Sequence, residues 1–262
     1  MTDTSTEAVC LACPKCRCPL GPGGQSLHCS RCDRTYPVVD GIPDFITGDS
    51  QSGPVRHIAK FMDMIAPIYE SRFWQQLNLR LAGARTSSLD TIADFHSRTL
   101  AGVAGSVLDV ACGPATYGRR LATPSRRVWG VDISMGILRK GLAYIARDRG
   151  SGVQLARARV EELPFEDGVF GGAICSGSLH LFPDTLGSLR EIARTMKAGA
   201  PLSVQTFVAG DTIVNRQLKN RAWVRSFELP RLQHDLTEAG FVDFQATRDG
   251  PIVLLFGARK AR

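Results

Sequence analysis

Apolar and polar residues alternate in a regular way through the second half of the chain. Short apolar runs typical of buried strands, such as residues 106–111 (SVLDVA) and 126–132 (RRVWGVD), are each followed by a segment with apolar residues at helical spacing. Strands that alternate with helices predict an α/β fold with a doubly wound parallel sheet. Sheets of this kind bind ligands at the carboxyl ends of their strands.

The last two predicted strands depart from that alternation. Residues 241–249 (FVDFQATRD) and 251–259 (PIVLLFGAR) are joined by the tight turn Asp249-Gly250-Pro251, so we expect an antiparallel hairpin. With the earlier runs VQLARA, VFGGAICS and APLSVQTFV, the pattern predicts seven strands. Asp184 is the expected N-cap of the helix in PDTLGSLREIARTM.

Composition divides the rest of the chain. We expect a disordered tail over residues 1–9, a small Cys-rich ribbon over 10–46, a linker over 47–55, a helical cap or lid over 56–101 and the α/β domain over 102–262. The α/β domain should also carry a helical insertion at about residues 210–225.

Length and charge exclude several classes of protein. The 262 residues are 44% apolar, which is ordinary for a globular protein. No apolar run reaches the roughly 18 residues of a membrane helix, and the acidic N-terminus is no signal peptide, so we expect a cytoplasmic protein without a membrane partner. The net charge of +7 indicates either dispersed surface arginine or an acidic partner such as nucleic acid.

Six of the eight cysteines lie between residues 10 and 32. Four of them form two Cys-x-x-Cys pairs with twelve residues between the pairs: Cys13, Cys16, Cys29 and Cys32. Four thiolates suit tetrahedral Zn²⁺, and a segment this small needs a metal to hold its fold, so we predict a structural zinc site. Cys10 and Cys18 are then spare, His28 is a weaker alternative ligand, and reduced cysteines without metal are the competing interpretation.

A second site is indicated where the first strand of the α/β domain ends. Asp109 precedes a turn of small residues, and Asp132 ends the next strand, where a carboxylate can accept the ribose hydroxyls of a nucleoside. The turn lacks the Gly-x-Gly-x-x-Gly pattern of dinucleotide-binding proteins. An acid before the turn suits a ligand with an ammonium and a sulfonium better than it suits a pyrophosphate.

Five stretches of the sequence, which include the turn after Asp109 and the strand that ends at Asp132, resemble in their order and spacing the class I S-adenosylmethionine-dependent methyltransferases. The resemblance covers about residues 56–262. The matching segments are VLDVACGPATYGRRL, VWGVDIS, VEELPFEDGVF, SGSLHLFPDTLGSLREIARTMKAGAPLSVQTF and FVDFQATRDGPIVLLFGARK. The subfamily resembled includes the ubiquinone/menaquinone-biosynthesis C-methyltransferases. The N-terminal ribbon is similar to that of the rRNA guanine-N1 methyltransferases. The resemblance implies a Rossmann-like sheet and S-adenosyl-L-methionine as cofactor.

The resemblance also assigns roles to residues. It implies that the cofactor is bound by Asp109, Ala111, Cys112, Gly113, Asp132, Ile133, Val160 and Ser176. In two places this sequence departs from the family pattern. Arg159 stands where an Asp usually accepts from the adenine amine, which leaves Glu161 as the alternative acceptor, and Gly171 replaces another usual Asp.

His180 is the candidate general base, because it follows the fourth strand of the domain at the ligand-binding edge and imidazole titrates near neutral pH. A structural or lining histidine is the alternative. His57, His96 and His234 lie on predicted helices, where we expect them at the surface.

The function that these observations favour is methyl transfer to a small organic molecule, such as a natural product, phenol or quinone precursor, by in-line displacement in a lidded pocket. The alternatives are methylation of an rRNA or tRNA base, with the ribbon as docking device, and a protein that keeps the fold without methylating.

Overall fold

The computed structural model describes residues 9, 11–46, 63–64, 71–81, 83–148, 152–209 and 227–262. The predicted linker and helical insertion, and nearly all of the predicted tail, lie outside these residues. The described helices are α1 (Arg72–Leu81), α2 (Leu89–Thr99), α3 (Thr116–Leu121), α4 (Met135–Arg147), α5 (Thr185–Thr195) and α6 (Leu229–Glu238). The described strands are β1 (Gly21–Pro22), β2 (Ser26–Cys29), β3 (Arg34–Val39), β4 (Ile42–Pro43), β5 (Gly105–Val110), β6 (Arg126–Asp132), β7 (Val153–Arg157), β8 (Gly172–Ser176), β9 (Pro201–Phe207), β10 (Phe241–Asp249) and β11 (Val253–Lys260).

The main sheet has seven strands in the order β10-β11-β9-β8-β5-β6-β7, which confirms the predicted doubly wound fold. Strands β5 to β9 pair in parallel, whereas β11 runs antiparallel to both β9 and β10. The predicted hairpin is confirmed, with Asp249 opposite Val253. Almost every residue of β8 and β9 is buried, as expected for parallel strands that are covered on both faces.

The turn of this hairpin holds the segment before α2. The Asp249 carboxylate accepts the backbone N–H groups of Arg85, Thr86 and Ser87 at 2.5–3.1 Å. Ser88 then caps α2 by accepting from the Thr91 N–H at 3.2 Å. The C-terminal hairpin therefore fixes where α2 begins, although it is far from α2 in sequence.

The one helix N-cap that the sequence predicts, Asp184, is present in the structure. The Asp184 side chain accepts from the Gly187 N–H at 2.9 Å, which confirms it as the N-cap of α5. Ser134 caps α4 in the same way, with its hydroxyl accepting from the Ile137 N–H at 3.1 Å. Both helices consequently begin at the edge of the sheet where the parallel strands end.

His96 corrects one expectation. It was expected at a helix surface, but it faces the sheet from α2 and is completely buried. Its Nδ1 lies 2.8 Å from the Ser203 hydroxyl of β9, and its ring meets Tyr117 edge-on with 5.2 Å between centroids. The hydroxyl on the facing strand provides a hydrogen-bond partner, which lowers the free-energy cost of burying the polar ring. Helical spacing alone does not reveal such a partner.

The ribbon, strands β1–β4, packs against the outer edge of the main sheet at β7. The Phe45 N–H donates to the Arg157 carbonyl at 2.8 Å, and the Ala12 N–H donates to the Pro164 carbonyl at 2.9 Å. Tyr36 and Phe45 belong to the same apolar cluster as Phe165 of the α/β domain. The ribbon thus covers a strand edge that would otherwise be unpaired.

Two ion pairs reinforce this contact. Arg17 of the ribbon makes a bidentate pair with the buried Glu191 at 2.8 and 3.1 Å, and Glu191 also accepts from the Leu163 N–H. Asp44 of the ribbon pairs with Arg157 at 2.9 Å, while Arg157 Nε donates to the Ile133 carbonyl at 2.9 Å. The ribbon is therefore joined to the α/β domain at two places, to α5 through Glu191 and to the end of β7 through Arg157.

None of the helices within the described ranges is long and apolar enough to cross a membrane.

Candidate functional site

The turn after β5 is tightly wound. Ala111, Gly113 and Ala115 have φ angles of 52°, 56° and 57°, in the left-handed region. An alanine pays roughly 1–2 kcal/mol for that conformation. The Gly113 N–H donates to the Asp132 carboxylate at 3.0 Å, which locks the turn to the end of β6. A side chain on Gly141 of α4 would come within 3.1 Å of the turn backbone, so α4 lies directly against it.

Asp109 is buried beneath this turn with 2% of its surface exposed. Its carboxylate accepts the Gly118 N–H at 3.1 Å. Burial raises the pKa of Asp109 to about 8, the hydrogen bond from Gly118 opposes that rise, and the nearby charge of Asp132 adds to it.

Asp132 ends β6 and faces the same turn. Its two oxygens accept from the Gly113 and Ser134 N–H groups, each at 3.0 Å. Burial raises its pKa, these hydrogen bonds oppose the rise, and the charge of Asp63 adds to it. Asp63 itself contacts the Ser134 hydroxyl and accepts the Gly136 N–H at 3.0 Å, at the start of α4.

Two cavities meet at Ala111. The empty space at the first is about 680 Å³ and at the second about 430 Å³, each including the part that is open to solvent. The first, here called the nucleoside cavity, is lined by Val110, Ala111, Val131, Asp132, Ile133, Ala158, Arg159, Val160, Glu161, Ser178, Leu181, Phe182 and Pro183. The second, here called the polar cavity, is lined by Leu89, Asp109, Ala111, Cys112, Thr116, Tyr117, Ser176, Gly177 and Gln205.

The structure brings together the residues that were expected to bind the cofactor. Ala111, Asp132, Ile133 and Val160 line the nucleoside cavity, and Asp109, Ala111, Cys112 and Ser176 line the polar cavity. Gly113 lines neither cavity and acts on the site through its hydrogen bond to Asp132. Their roles in binding remain predictions.

The two positions at which the sequence departs from the family pattern, Arg159 and Gly171, have different surroundings. Arg159 and Glu161 both line the nucleoside cavity, and the Arg159 Nε lies 3.6 Å from the Glu161 carboxylate. An ion pair therefore stands where the family has a single acid, and Glu161 keeps an acceptor in the wall. Gly171 lies before β8, where a side chain would come within 3.2 Å of the Ala104 carbonyl.

Tyr117 and Gln205 are polar residues of the site that the sequence analysis missed. Tyr117 hydrogen-bonds Ser176, and Ser176 in turn lies 3.5 Å from the Gln205 amide oxygen. Ser176 and Gln205 are direct neighbours in the pairing of β8 with β9. The local signal was a glutamine, the one amide side chain in the run APLSVQTFV that forms β9.

His180, the candidate base, is 5% exposed and lines neither cavity within the described part of the chain. Its Nδ1 lies 3.4 Å from the Thr206 hydroxyl, and its ring meets Phe207 edge-on at 4.8 Å. Burial lowers the pKa of His180 to about 4, so the ring is neutral and weakly basic at pH 7. Its role as a base stays a prediction.

Two histidines that are buried in the described part of the chain, His96 and His180, should make the fold sensitive to acid. Burial lowers the pKa of His96 to about 3 and that of His180 to about 4, so the unfolded chain binds more protons than the folded one below pH 6.5. Each ring then costs the fold on the order of 3 kcal/mol by pH 4. We expect His96→Asn and His180→Asn to lose less stability than wild type between pH 7 and pH 4, as measured by urea unfolding. Parallel pH profiles for wild type and both variants would contradict this.

The four paired cysteines come together as predicted. The sulfur atoms of Cys13, Cys16, Cys29 and Cys32 all lie within 4.8 Å of one another, and neighbouring pairs are 3.3–3.8 Å apart. Tetrahedral Zn²⁺ with bonds of about 2.3 Å sets its sulfur ligands about 3.8 Å apart, so the set fits a zinc ion. Cys18 and His28 lie outside this cluster, and Cys10 lies outside the described residues.

Comparison with protein families finds two matches. Residues 107–199 match a family model described as a methyltransferase domain, and residues 10–41 match one described as Trm112p-like protein. The first match contains both Asp109 and Asp132, and the second contains all four clustered cysteines.

Individual proteins extend the likeness. An uncharacterized chloroplastic methyltransferase of Arabidopsis thaliana is 26% identical over 77% of this chain and 63% of its own length. A demethylmenaquinone methyltransferase of Corynebacterium kroppenstedtii is 37% identical over 38% of this chain and 41% of its own. The chain therefore spans less than two thirds of the length of these relatives.

A solved structure shows the same fold. Phosphoethanolamine N-methyltransferase 2 of Haemonchus contortus, in complex with S-adenosyl-L-methionine, superposes with a TM-score of 0.63 at 14% identity, over 84% of this chain and 62% of the other. Fold and family matches agree: residues 107–199 match a methyltransferase domain within a sheet of the class I methyltransferase fold, and residues 10–41 match a Trm112p-like ribbon.

Proposed function

We propose that the protein transfers a methyl group from S-adenosyl-L-methionine to a small organic molecule. The observation that carries this proposal is the pair of adjoining cavities, each with one buried carboxylate, Asp132 in the first and Asp109 in the second. The residues that line the two cavities suit the two ends of this cofactor, which are a nucleoside and an amino acid with a sulfonium.

The residues of the site have distinct tasks in this proposal. Asp132 accepts hydrogen bonds from the ribose hydroxyls, Ile133 packs against adenine, and the Val160 backbone N–H donates to adenine. Glu161 accepts from the adenine amine, and Arg159 beside it limits the cost of burying that charge. The bound cofactor supplies an activated methyl group, and the protein contributes position and the exclusion of water.

Two observations support a small acceptor molecule. The relatives include a demethylmenaquinone methyltransferase and a phosphoethanolamine N-methyltransferase, both named for small-molecule acceptors. In addition, two cations of the ribbon are engaged within the chain, Lys15 with Glu162 at 2.6 Å and Arg17 with Glu191. Cations used in this way are less available to the phosphates of an RNA.

We infer that the ribbon holds one structural zinc ion through the four clustered cysteines. Four protein thiolates close a tetrahedral site and leave no position for a substrate. The metal would stabilise the ribbon, and through it the segment between β7 and Glu162 that lines the nucleoside cavity.

Calorimetric titration of the whole zinc-loaded protein with S-adenosyl-L-methionine tests the cofactor. We expect binding in the micromolar range for wild type and a loss of about 100-fold for Asp132→Ala, which removes the acceptor for the ribose hydroxyls. Removal of two or more hydrogen bonds to a charged acceptor is worth about 3 kcal/mol. Asp94→Ala, on the exposed face of α2, serves as the control.

A folded wild-type protein that fails to bind would remove the proposal of methyl transfer. If the cofactor binds, phenols, quinone precursors and structured RNA are compared as acceptors with radiolabelled methyl groups. Methylation of the RNA alone would replace the small-molecule proposal with the docking interpretation.

A further inference from the structure

Gln205 is a buried side chain of β9 whose amide nitrogen has no hydrogen-bond partner in the described part of the chain. The residue is 3% exposed and lines the polar cavity. A buried amide that leaves its donors unused lowers the stability of a fold, so native proteins keep few of them. A hydrogen-bond acceptor that enters the cavity would supply the missing partner.

The amide oxygen of Gln205 is already engaged. The Ser176 hydroxyl donates to it at 3.5 Å, and Ser176 is also hydrogen-bonded to Tyr117. The backbone is held at the same place, because the Gly177 N–H donates to the Gln205 carbonyl at 2.8 Å. With its oxygen turned toward Ser176, the amide has its nitrogen left for a ligand, and that nitrogen can only donate.

The polar cavity has groups of opposite hydrogen-bonding character on the two sides of β8. Asp109 on β5 is an acceptor and Gln205 on β9 is a donor, while β8 lies between these two strands. Leu89, the first residue of α2, lines the same cavity, and the N-terminus of a helix carries a partial positive charge. An ammonium group therefore suits the side of Asp109, and a carboxylate suits the side of Gln205.

One ligand of the proposed reaction carries both of these groups. The amino-acid end of S-adenosyl-L-methionine has an ammonium and a carboxylate on the same carbon atom. A phenol or a quinone precursor has no ammonium to place beside Asp109. The donor at Gln205 is therefore better matched to the cofactor than to the methyl acceptor.

We propose that Gln205 is a positioning residue that binds the α-carboxylate of the cofactor through its amide N–H groups. This rests on the proposed function, since it takes the amino-acid end of S-adenosyl-L-methionine to lie in the polar cavity. With the ammonium at Asp109 and the carboxylate at Gln205, that end of the cofactor is held at two points. Attachment at two points limits the rotation of the sulfonium, and orientation of the reacting group is the main contribution that the protein makes to methyl transfer.

The test compares two ligands that differ by the carboxylate. Decarboxylated S-adenosylmethionine keeps the amine, the sulfonium and the nucleoside of the complete cofactor and lacks only that group. Each ligand is titrated calorimetrically into the whole zinc-loaded protein at pH 7. We expect wild type to bind the complete cofactor about 10- to 100-fold more tightly, as hydrogen bonds to a charged group would produce.

Two substitutions of Gln205 identify the donor. Gln205→Met keeps the length of the side chain and removes the donors, so it should lose most of the preference for the complete cofactor and bind the decarboxylated form about as tightly as wild type does. Gln205→Glu keeps an acceptor for the Ser176 hydroxyl but adds a negative charge, so its preference should reverse in favour of the decarboxylated form. Gln233→Met, on the exposed face of α6, is the matched control and should keep the wild-type ratio.

Equal binding of the two ligands by wild type would overturn the inference, and this comparison needs no variant. An unchanged ratio in either Gln205 variant would also overturn it, as would an equal loss of affinity for both ligands, which would show a purely structural role. Each ratio is taken within one protein, so lower stability of a variant does not imitate the expected result. If folded wild-type protein binds neither ligand, the proposed function itself is wrong.

Discussion

Replacement of Gly250 by alanine is expected to destabilise the protein by about 3–5 kcal/mol and to lower its Tm by roughly 10 °C. Gly250 is at φ +75° in the hairpin turn, and a Cβ there would come within 2.0 Å of the Gly83 carbonyl oxygen. Both the turn and the segment before α2 would have to move apart. The three N–H groups that Asp249 accepts would then lose their partner.

Gly199 provides the matched control for this prediction. It has φ +73°, and a Cβ at that position would have no atom within 4 Å. Gly199→Ala therefore carries the backbone strain of about 1–2 kcal/mol without the collision. Differential scanning calorimetry of both variants separates the two costs, and similar Tm values for the two would show that the contact between Gly250 and Gly83 is unimportant.

Replacement of Cys29 by serine is expected to remove zinc and to weaken cofactor binding about 5- to 50-fold. Cys29 is completely buried in the four-sulfur cluster, and a serine hydroxyl is a poor ligand for Zn²⁺. The ribbon then loses its fold, and with it the backbone bond from Phe45 to Arg157. Arg157 also holds the carbonyl of Ile133, a residue of the nucleoside cavity, so the effect should reach the site.

Cys18→Ser is the control, since Cys18 lies outside the cluster. Metal analysis by mass spectrometry and titration with S-adenosylhomocysteine give the two readouts. Full zinc content in Cys29→Ser would contradict the assignment of the ligands. Zinc loss with unchanged cofactor affinity would show that the ribbon and the site are independent.

Local sequence patterns were enough to predict the strands, the hairpin, the cysteine cluster and the turn between Asp109 and Asp132. Each of these depends on residues close together in the chain or on a spacing that one kind of chemistry requires. Asp109, which pairs with Gly130 of β6, and Asp132, which ends β6, come close enough for their charges to interact because parallel strands end at one edge of the sheet.

Other features depend on contacts between distant parts of the chain. The pair of Arg17 with Glu191 joins residues 174 positions apart, and no local pattern around either residue points to the other. Gln205 enters the site because β9 lies beside β8, and His96 is buried because Ser203 faces it. Pairing order and helix placement decide such contacts, and periodicity along one segment does not contain that information.

The two edges of the main sheet are protected in unequal ways. At β10 a bulge between Val242 and Gln245 interrupts the regular pairing surface, with exposed charges on Asp243 and Arg248. At β7 the protection is the ribbon itself. Loss of the proposed zinc should therefore leave an apolar strand edge open to other copies of the chain, so that aggregation during expression or storage would follow zinc depletion. A domain truncated before β5 should aggregate for the same reason, whereas added zinc should keep the full chain monodisperse.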